Sequence, residues 1–343
     1  MKKLIFLLFF IAIQFTYAEW LYTGFGYNKL NIFTSEVQND RIFQGTNMGL
    51  YASDNYGKTW RQIGFSGQNI ITLNSDNTRI FTCCNKGICL STDNGNTWIE
   101  KNEGFPNLLV YKILIDGDRV FAGTQEGIYM TTNNGDNWSV SLEINDPVFD
   151  LIKKDGNIFA ATDEGVYFLE NNKDTWQLID YKHYYFHKLI SVNDCIFAGT
   201  NYRGIYKSTD NGVSWTYSGV DSLRILSLNV LGNKVLAGTY SNGIYITTDE
   251  GNTWEKAGLD TMTITTITIL GNDIYASSIK SGVYKSTDEG KTWQQMGLSH
   301  AYFYDLTADN NGNLYAATCC HGVHTSTDYG ISWGYFGLTD VIT

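Results

Sequence analysis

The chain has 343 residues, of which 43% are hydrophobic, 15% aromatic and only 17% charged, with 34 Gly against 2 Pro. Many glycines and aromatics with few charges are the composition of short strands joined by tight turns. A formal net charge of −11 opposes association with phosphate backbones and anionic membranes, so no nucleic acid is expected as a partner.

Met1-Lys2-Lys3 is a short positive start, and Leu4 to Ile13 is an unbroken apolar run. Thr16-Tyr17-Ala18 then offers small residues at the two positions that signal peptidase reads. The pattern predicts a signal peptide over residues 1–18, cleaved after Ala18, and one domain over 19–343. The apolar run is too short for a permanent membrane helix, so no membrane insertion is expected after cleavage. The expected location is secreted or periplasmic, and the expected state is a monomer. Loss of Lys2 and Lys3 takes the formal charge from −11 to −13.

Eight tryptophans mark an internal repeat: Trp60, Trp98, Trp138, Trp176, Trp215, Trp254, Trp293 and Trp333, spaced by 38, 40, 38, 39, 39, 39 and 40 residues. Each closes a version of one octapeptide. Ser91 to Trp98 reads S-T-D-N-G-N-T-W, and Ser286 to Trp293 reads S-T-D-E-G-K-T-W. The first and third copies carry Asn55 and Asn133 in place of Asp, and the fourth has Lys173 in place of Gly. Four short strands are predicted in each unit. In the seventh they are Ile264 to Leu270, Asp273 to Ser277, Gly282 to Ser286 and Thr292 to Met296. Small residues in the second strand, as in Phe121-Ala122-Gly123-Thr124, would let neighbouring sheets approach closely.

A unit of about 39 residues and four strands is one blade of a β-propeller. The expected fold class is all-β, a single propeller of eight four-stranded blades. An open solenoid, or seven blades with the fourth unit as misfit, are the alternatives. Trp20 to Phe25 resembles Trp60 to Phe65, a ninth copy of the fourth strand. It is expected to pair near the eighth blade and fasten the ring, hiding exposed sheet edges.

The octapeptide S/T-x-D-x-G-x-T/S-W resembles the Asp-box, or BNR repeat, and the resemblance runs over the whole mature chain. It implies a propeller of the kind found in photosystem II assembly factor-like proteins, sialidases and xyloglucan-degrading glycosidases. It also implies that the box is a turn between the third and fourth strands, remote from the ligand face. The residues supply a structural reason for such a turn. Asp, Ser and Thr bond turn backbone, Gly allows positive φ, and Trp covers the turn. Asp93, Asp210, Asp249, Asp288 and Asp328, with Trp98, Trp215, Trp254, Trp293 and Trp333, are therefore expected to be structural rather than catalytic. Asp288→Ala is expected to cost stability and leave binding by the folded fraction unchanged.

The chemistry of the opposite face is less defined. None of the six Arg is followed by Ile-Pro, which departs from the sialidase pattern. Glu126, Asp146, Asp163, Glu164, Asp221 and Asp260 fall in ligand-face loops, but nothing in the sequence pairs any two of them as glycoside hydrolysis requires. Cys83-Cys84 and Cys319-Cys320 are vicinal pairs expected between second and third strands, as free thiols or strained disulfides. Cys89 is expected in a buried strand, and Cys195 at the start of one. His183 and His187 are expected on a loop surface. No metal site, no cofactor and no catalytic residue is expected.

Loops between second and third strands are one residue longer in units five to eight than in units one to four. The longer ones carry Asn201-Tyr202-Arg203, Tyr240-Ser241-Asn242, Ile279-Lys280-Ser281 and Cys319-Cys320-His321. Loops on a rigid scaffold are where binding residues concentrate, and Tyr and Arg dominate interface energetics. The candidate ligand-binding residues are Asn201, Tyr202, Arg203, Tyr240, Lys280, His300 and His321, for a protein or glycan ligand. The leading expectation is a non-catalytic binding or assembly scaffold. The alternative is a glycosidase of the Asp-box propeller type, which a close carboxylate pair in a ligand-face pocket would favour.

Overall fold

The computed structural model describes residues 32–38, 41–106, 109–179, 184–299, 301–309, 311–319 and 322–336. The predicted signal, Trp20 to Phe25, His183, His300, Cys320 and His321 lie outside the described residues.

The described chain forms eight four-stranded antiparallel sheets, each made of four consecutive strands. The first comprises Ile32–Gln38, Arg41–Thr46, Gly49–Ser53 and Arg61–Gly64, and the last ends with Gly334–Phe336. The eighth blade therefore completes its four strands from its own unit. The degenerate fourth unit also builds a full sheet, from Val148–Lys154, Asn157–Thr162, Val166–Leu169 and Trp176–Ile179, which removes the seven-bladed alternative. In the seventh unit Ile264–Leu270 and Gly282–Ser286 match their predicted bounds. The fourth strand there shrinks to Gln294–Gln295, because only two residues pair with the third strand.

First strands pack against the first strands of both neighbouring blades in a closed circuit, so they line the axis. Closure between the first and last blades runs through side chains. Ser35 N–H donates to Asp305 Oδ2 at 3.1 Å, and the rings of Phe33 and Tyr304 meet edge to face at 5.7 Å. Equivalent latches join other blades, with Leu189 N–H donating to Asp150 Oδ2 at 3.0 Å and Ile267 N–H to Ser227 Oγ at 3.0 Å.

The cores sit between blades rather than within them. One cluster joins Phe81, Ile88 and Leu90 of the second blade to Val110, Ile113, Val120 and Trp138 of the third. Small second-strand residues are needed at these seams. A Cβ at Gly123 would lie 2.9 Å from a Val148 methyl, and one at Gly199 would lie 2.7 Å from Ile225.

The boxes form the turns between third and fourth strands. Ser286 Oγ accepts the Gly290 N–H at 2.8 Å and donates to Asp288 Oδ1 at 2.8 Å. Asp288 accepts the Thr292 N–H at 2.9 Å and its hydroxyl at 2.6 Å. Asp93, Asp210, Asp249 and Asp328 repeat the carboxylate bonds. The asparagines of units one and three keep the backbone bond, from Thr59 to Asn55 and from Asn137 to Asn133. Donation from Thr97 holds the Asp93 carboxyl down at about 2, as bonds from Thr253 and Thr292 do for Asp249 and Asp288. The box tryptophans do more than cover their own turns. Nε1–H of Trp138, Trp293 and Trp333 donates to the Lys101, Ala257 and Met296 carbonyls of the preceding blade, at 2.8, 2.6 and 2.7 Å.

Candidate functional site

The face opposite the boxes carries the second-to-third-strand loops and the connectors between blades, and backbone bonds lock the two sets together. Asn201 N–H donates to the Tyr185 carbonyl at 3.0 Å, Tyr240 N–H to Arg224 at 3.0 Å, and Lys280 N–H to Ala301 at 3.1 Å. Each loop is thus held by the connector entering its blade or the one leaving it. Residues from consecutive units form one continuous surface.

Blades five to seven present cations seated on rings. Arg203 lies over the Tyr184 ring at 5.6 Å, and Tyr184 stacks on Tyr206 at 4.9 Å. Lys280 lies over Tyr302 at 5.3 Å. Tyr202 is 56% exposed and Tyr240 53%, which places two large aromatics in solvent at neighbouring loop tips. Asn201 differs from its neighbours. It is buried, and its side-chain oxygen has no partner among the described residues. Of the seven candidate binding residues the structure therefore places Tyr202, Arg203, Tyr240 and Lys280 in the open and Asn201 in the interior. His300 and His321 lie outside the described residues.

Two placements were not legible in the sequence. Asp163, in the short loop of blade four, is half-buried near Asp146 of the connector entering the same blade. Burial, and then the charge of Asp146, push its carboxyl up to about 7. Glu164 is next in the chain and accepts the Tyr167 hydroxyl at 3.2 Å. The only sequence signal for this pair is that both loops border one blade. His187 is the second correction. It is not on a loop surface but in the first strand Phe186–Val192, stacked on Phe149 at 4.1 Å. Burial, followed by Arg224 and Lys188, drives its pKa down to about 3, so its imidazole is neutral.

The cysteines also depart from expectation. Cys83 and Cys84 are not loop residues but the last two residues of the strand Ile80–Cys84, and their side chains point to opposite sides of the sheet. Cys83, Cys84, Cys89 and Cys195 are free thiols. Cys89 and Cys195 are buried, and Cys195 opens a second strand. Among the described residues no cluster of three or more His, Cys, Asp or Glu is arranged to hold a metal ion. No helix among them is long and apolar enough to cross a membrane.

Residues 50–63 match the BNR-Asp box repeat model. No curated protein matches the chain. Several solved structures share the fold at low identity. YCF48 from Cyanidioschyzon merolae is 13% identical with a TM-score of 0.59, over 88% of this chain and 96% of that one. YCF48 has also been solved bound to a D1 peptide, and is 16% identical to this chain in that structure. The extracellular domain of the B. thetaiotaomicron one component system BT4673 is 16% identical with a TM-score of 0.56, over 90% of this chain. An ancestral GH74 enzyme is 15% identical with a TM-score of 0.56, over 89%. The chain spans only about half of each of these last two, 52% and 54%. With the repeat, the eight sheets and these likenesses on one chain, the molecule is a single eight-bladed β-propeller that carries the BNR-Asp box repeat and resembles Asp-box propeller proteins in fold.

Proposed function

We propose that the chain is an exported, non-catalytic binding scaffold that holds a protein ligand on the loops of blades five to seven. The observation that carries this reading is the pairing of exposed Tyr202 and Tyr240 with Arg203, itself held over Tyr184. A rigid aromatic base limits the entropy lost when such an anchor binds. Arg203 and Lys280 are exposed cations on these loops, so a segment bearing carboxylates complements them. The fold it shares with YCF48, solved with a peptide bound, supports a peptide over a glycan.

Affinity capture from the native envelope fraction, run beside a glycan array, tests the reading. A captured protein is expected to lose at least about 1 kcal/mol of affinity with Tyr202→Ala or Arg203→Ala. Gln125→Ala and Glu126→Ala in the short-loop half are expected to change little. If the short-loop changes prove the more damaging, the surface lies on the wrong side of the ring.

A second reading, action on glycosides, is favoured by one observation: the raised carboxyl of Asp163 beside Asp146 on the same face. A carboxyl protonated near neutrality beside a second carboxyl is the pattern of an acid–base pair. Assay on a panel of oligosaccharides and chromogenic glycosides separates the readings. The scaffold reading expects no turnover. Hydrolysis that disappears in Asp163→Asn would establish the enzyme instead.

A further inference from the structure

Two positions of the repeat lie diagonally across the hairpin of the second and third strands. The first is the last paired residue of the second strand. It is Thr in six units and Ser278 in a seventh. In the six Thr units the hydroxyl closes the loop, as Thr124 does to the Gly127 carbonyl at 3.0 Å and Thr200 to Gly204 at 2.8 Å. The second is the third residue from the glycine that opens the third strand. It is Tyr in six units and His324 in a seventh. Unit two alone departs at both, with Cys84 and Cys89. Two exchanges to the same rare residue, at neighbouring positions, call for one explanation.

Cys84 stands opposite Gly87, and Thr82 opposite Cys89, so Cys84 and Cys89 are diagonal neighbours on one side of the sheet. Cys84 packs there on the cluster of Phe43, Leu50, Ile70, Leu73 and Ile80, while Cys83 belongs to the cluster on the other side with Phe105 and Val110. The Cys84 sulfur accepts the backbone N–H of Lys86 at 3.4 Å, with the Cys89 thiol as its neighbour across the hairpin. Cys89 is 1% exposed, whereas Cys84 is half-buried beside the exposed tip Asn85-Lys86 on the ligand face.

We propose that Cys84 and Cys89 are a redox couple that reacts with external disulfides, Cys84 as the attacking sulfur and Cys89 as the resolving one. The Cys84 thiolate displaces one thiolate from a disulfide R–S–S–R and forms a mixed disulfide. Cys89 then attacks the Cys84 sulfur and expels the second R group as a thiol, its own proton passing to the departing sulfur. Two protein thiols are oxidised by two electrons, and one external disulfide is reduced to two thiols. The division of labour follows from the two environments. The Cys89 thiol and the Lys86 N–H favour the ionised form of Cys84. The neighbouring Cys84 sulfur, and then burial, push the Cys89 thiol up. Diagonal cross-strand Cα atoms lie about 7–8 Å apart, beyond the roughly 4.4–6.8 Å that a disulfide usually spans, so the backbone must move for the bond to form. The bond thus closes only as the hairpin tightens, and a bond formed in this way reopens readily in excess thiol.

The test uses the full reduced chain with oxidised glutathione at neutral pH, followed by intact mass and peptide mapping. The wild type is expected to lose two hydrogens, retain no glutathione at this hairpin, and yield a Cys84–Cys89 crosslink that dithiothreitol removes. Cys89→Ser is expected to trap one glutathione on Cys84. Should that variant fail to fold, Cys89→Tyr restores the repeat's own residue and serves the same purpose. Cys84→Thr, also the repeat's residue, is expected to abolish both products with an unchanged melting curve. A wild type that keeps glutathione on Cys84, links Cys83 to Cys84, or leaves both thiols unreacted would overturn the proposal. So would undiminished reaction at Cys89 in Cys84→Thr.

Discussion

Within the box, the hydroxyl and the carboxylate divide the turn between them: the hydroxyl takes a buried N–H near the strand end, and the carboxylate takes an exposed one. Ser286→Ala leaves the Gly290 N–H without its acceptor inside the protein, and is expected to cost about 1–3 kcal/mol in a denaturant titration. The carboxylate's contribution depends on pH. Asp93, Asp249 and Asp288 titrate near 2 when folded, below the ordinary Asp value of about 3.9. Their contribution is therefore present above about pH 4 and lost as pH falls toward 2. Replacing all three by Asn, which units one and three already use, is expected to flatten the acid limb of the stability profile between those values. An unchanged acid limb would remove these carboxylates from the account of acid unfolding. The sequence made this level readable because five of the eight copies put the same residue types at the same offsets. It did not show that the Trp indoles reach the preceding blade, since the pattern carries no information about which sheet lies behind a turn.

At the scale of strands and loops, alternation and turn chemistry reproduced the first and third strands of the seventh unit to the residue. They overran the fourth, where pairing at the rim ends early. The candidate surface was less legible. Tyr202, Arg203 and Tyr240 were visible as a length difference between loops, but the burial of Asn201 was not. Asp146 and Asp163 come from a connector and a hairpin that only the folded blade brings together. Their interaction has a consequence opposite to that of the boxes. The Asp163 carboxyl titrates near 7 in the fold and near 3.9 in the unfolded chain, so folding is favoured when it is protonated. Its contribution is complete below about pH 4 and is lost as pH rises through 7. Asp163→Asn is expected to match the wild type near pH 4 and exceed its stability by on the order of 2 kcal/mol near pH 8. Equal unfolding midpoints at the alkaline end would show that this carboxyl meets no such penalty. Cys84 and Cys89 were hidden for a related reason. The vicinal spelling Cys83-Cys84 draws attention along the strand, whereas the register pairs across it.

For the whole ring, eight units gave the blade count and the sheets followed from it. Each sheet is drawn from a single unit, so the closing seam carries no shared strand among the described residues. It is made instead of the same first-strand packing and side-chain latch that join blades elsewhere, Asp305 to Ser35 at the seam as Asp150 to Leu189 within the chain. Among the described residues, other blade boundaries differ from it by a covalent connector, such as the five residues 220 to 224 between Gly219 and Ile225. The order in which the blades are translated is then incidental to the finished ring. A circular permutant that opens the chain at residues 220 to 224 and joins its ends with a linker is expected to fold to the same circular dichroism spectrum, with the melting point shifted by only a few degrees. Collapse of such a permutant would mean that the present seam holds the ring by something the other boundaries lack.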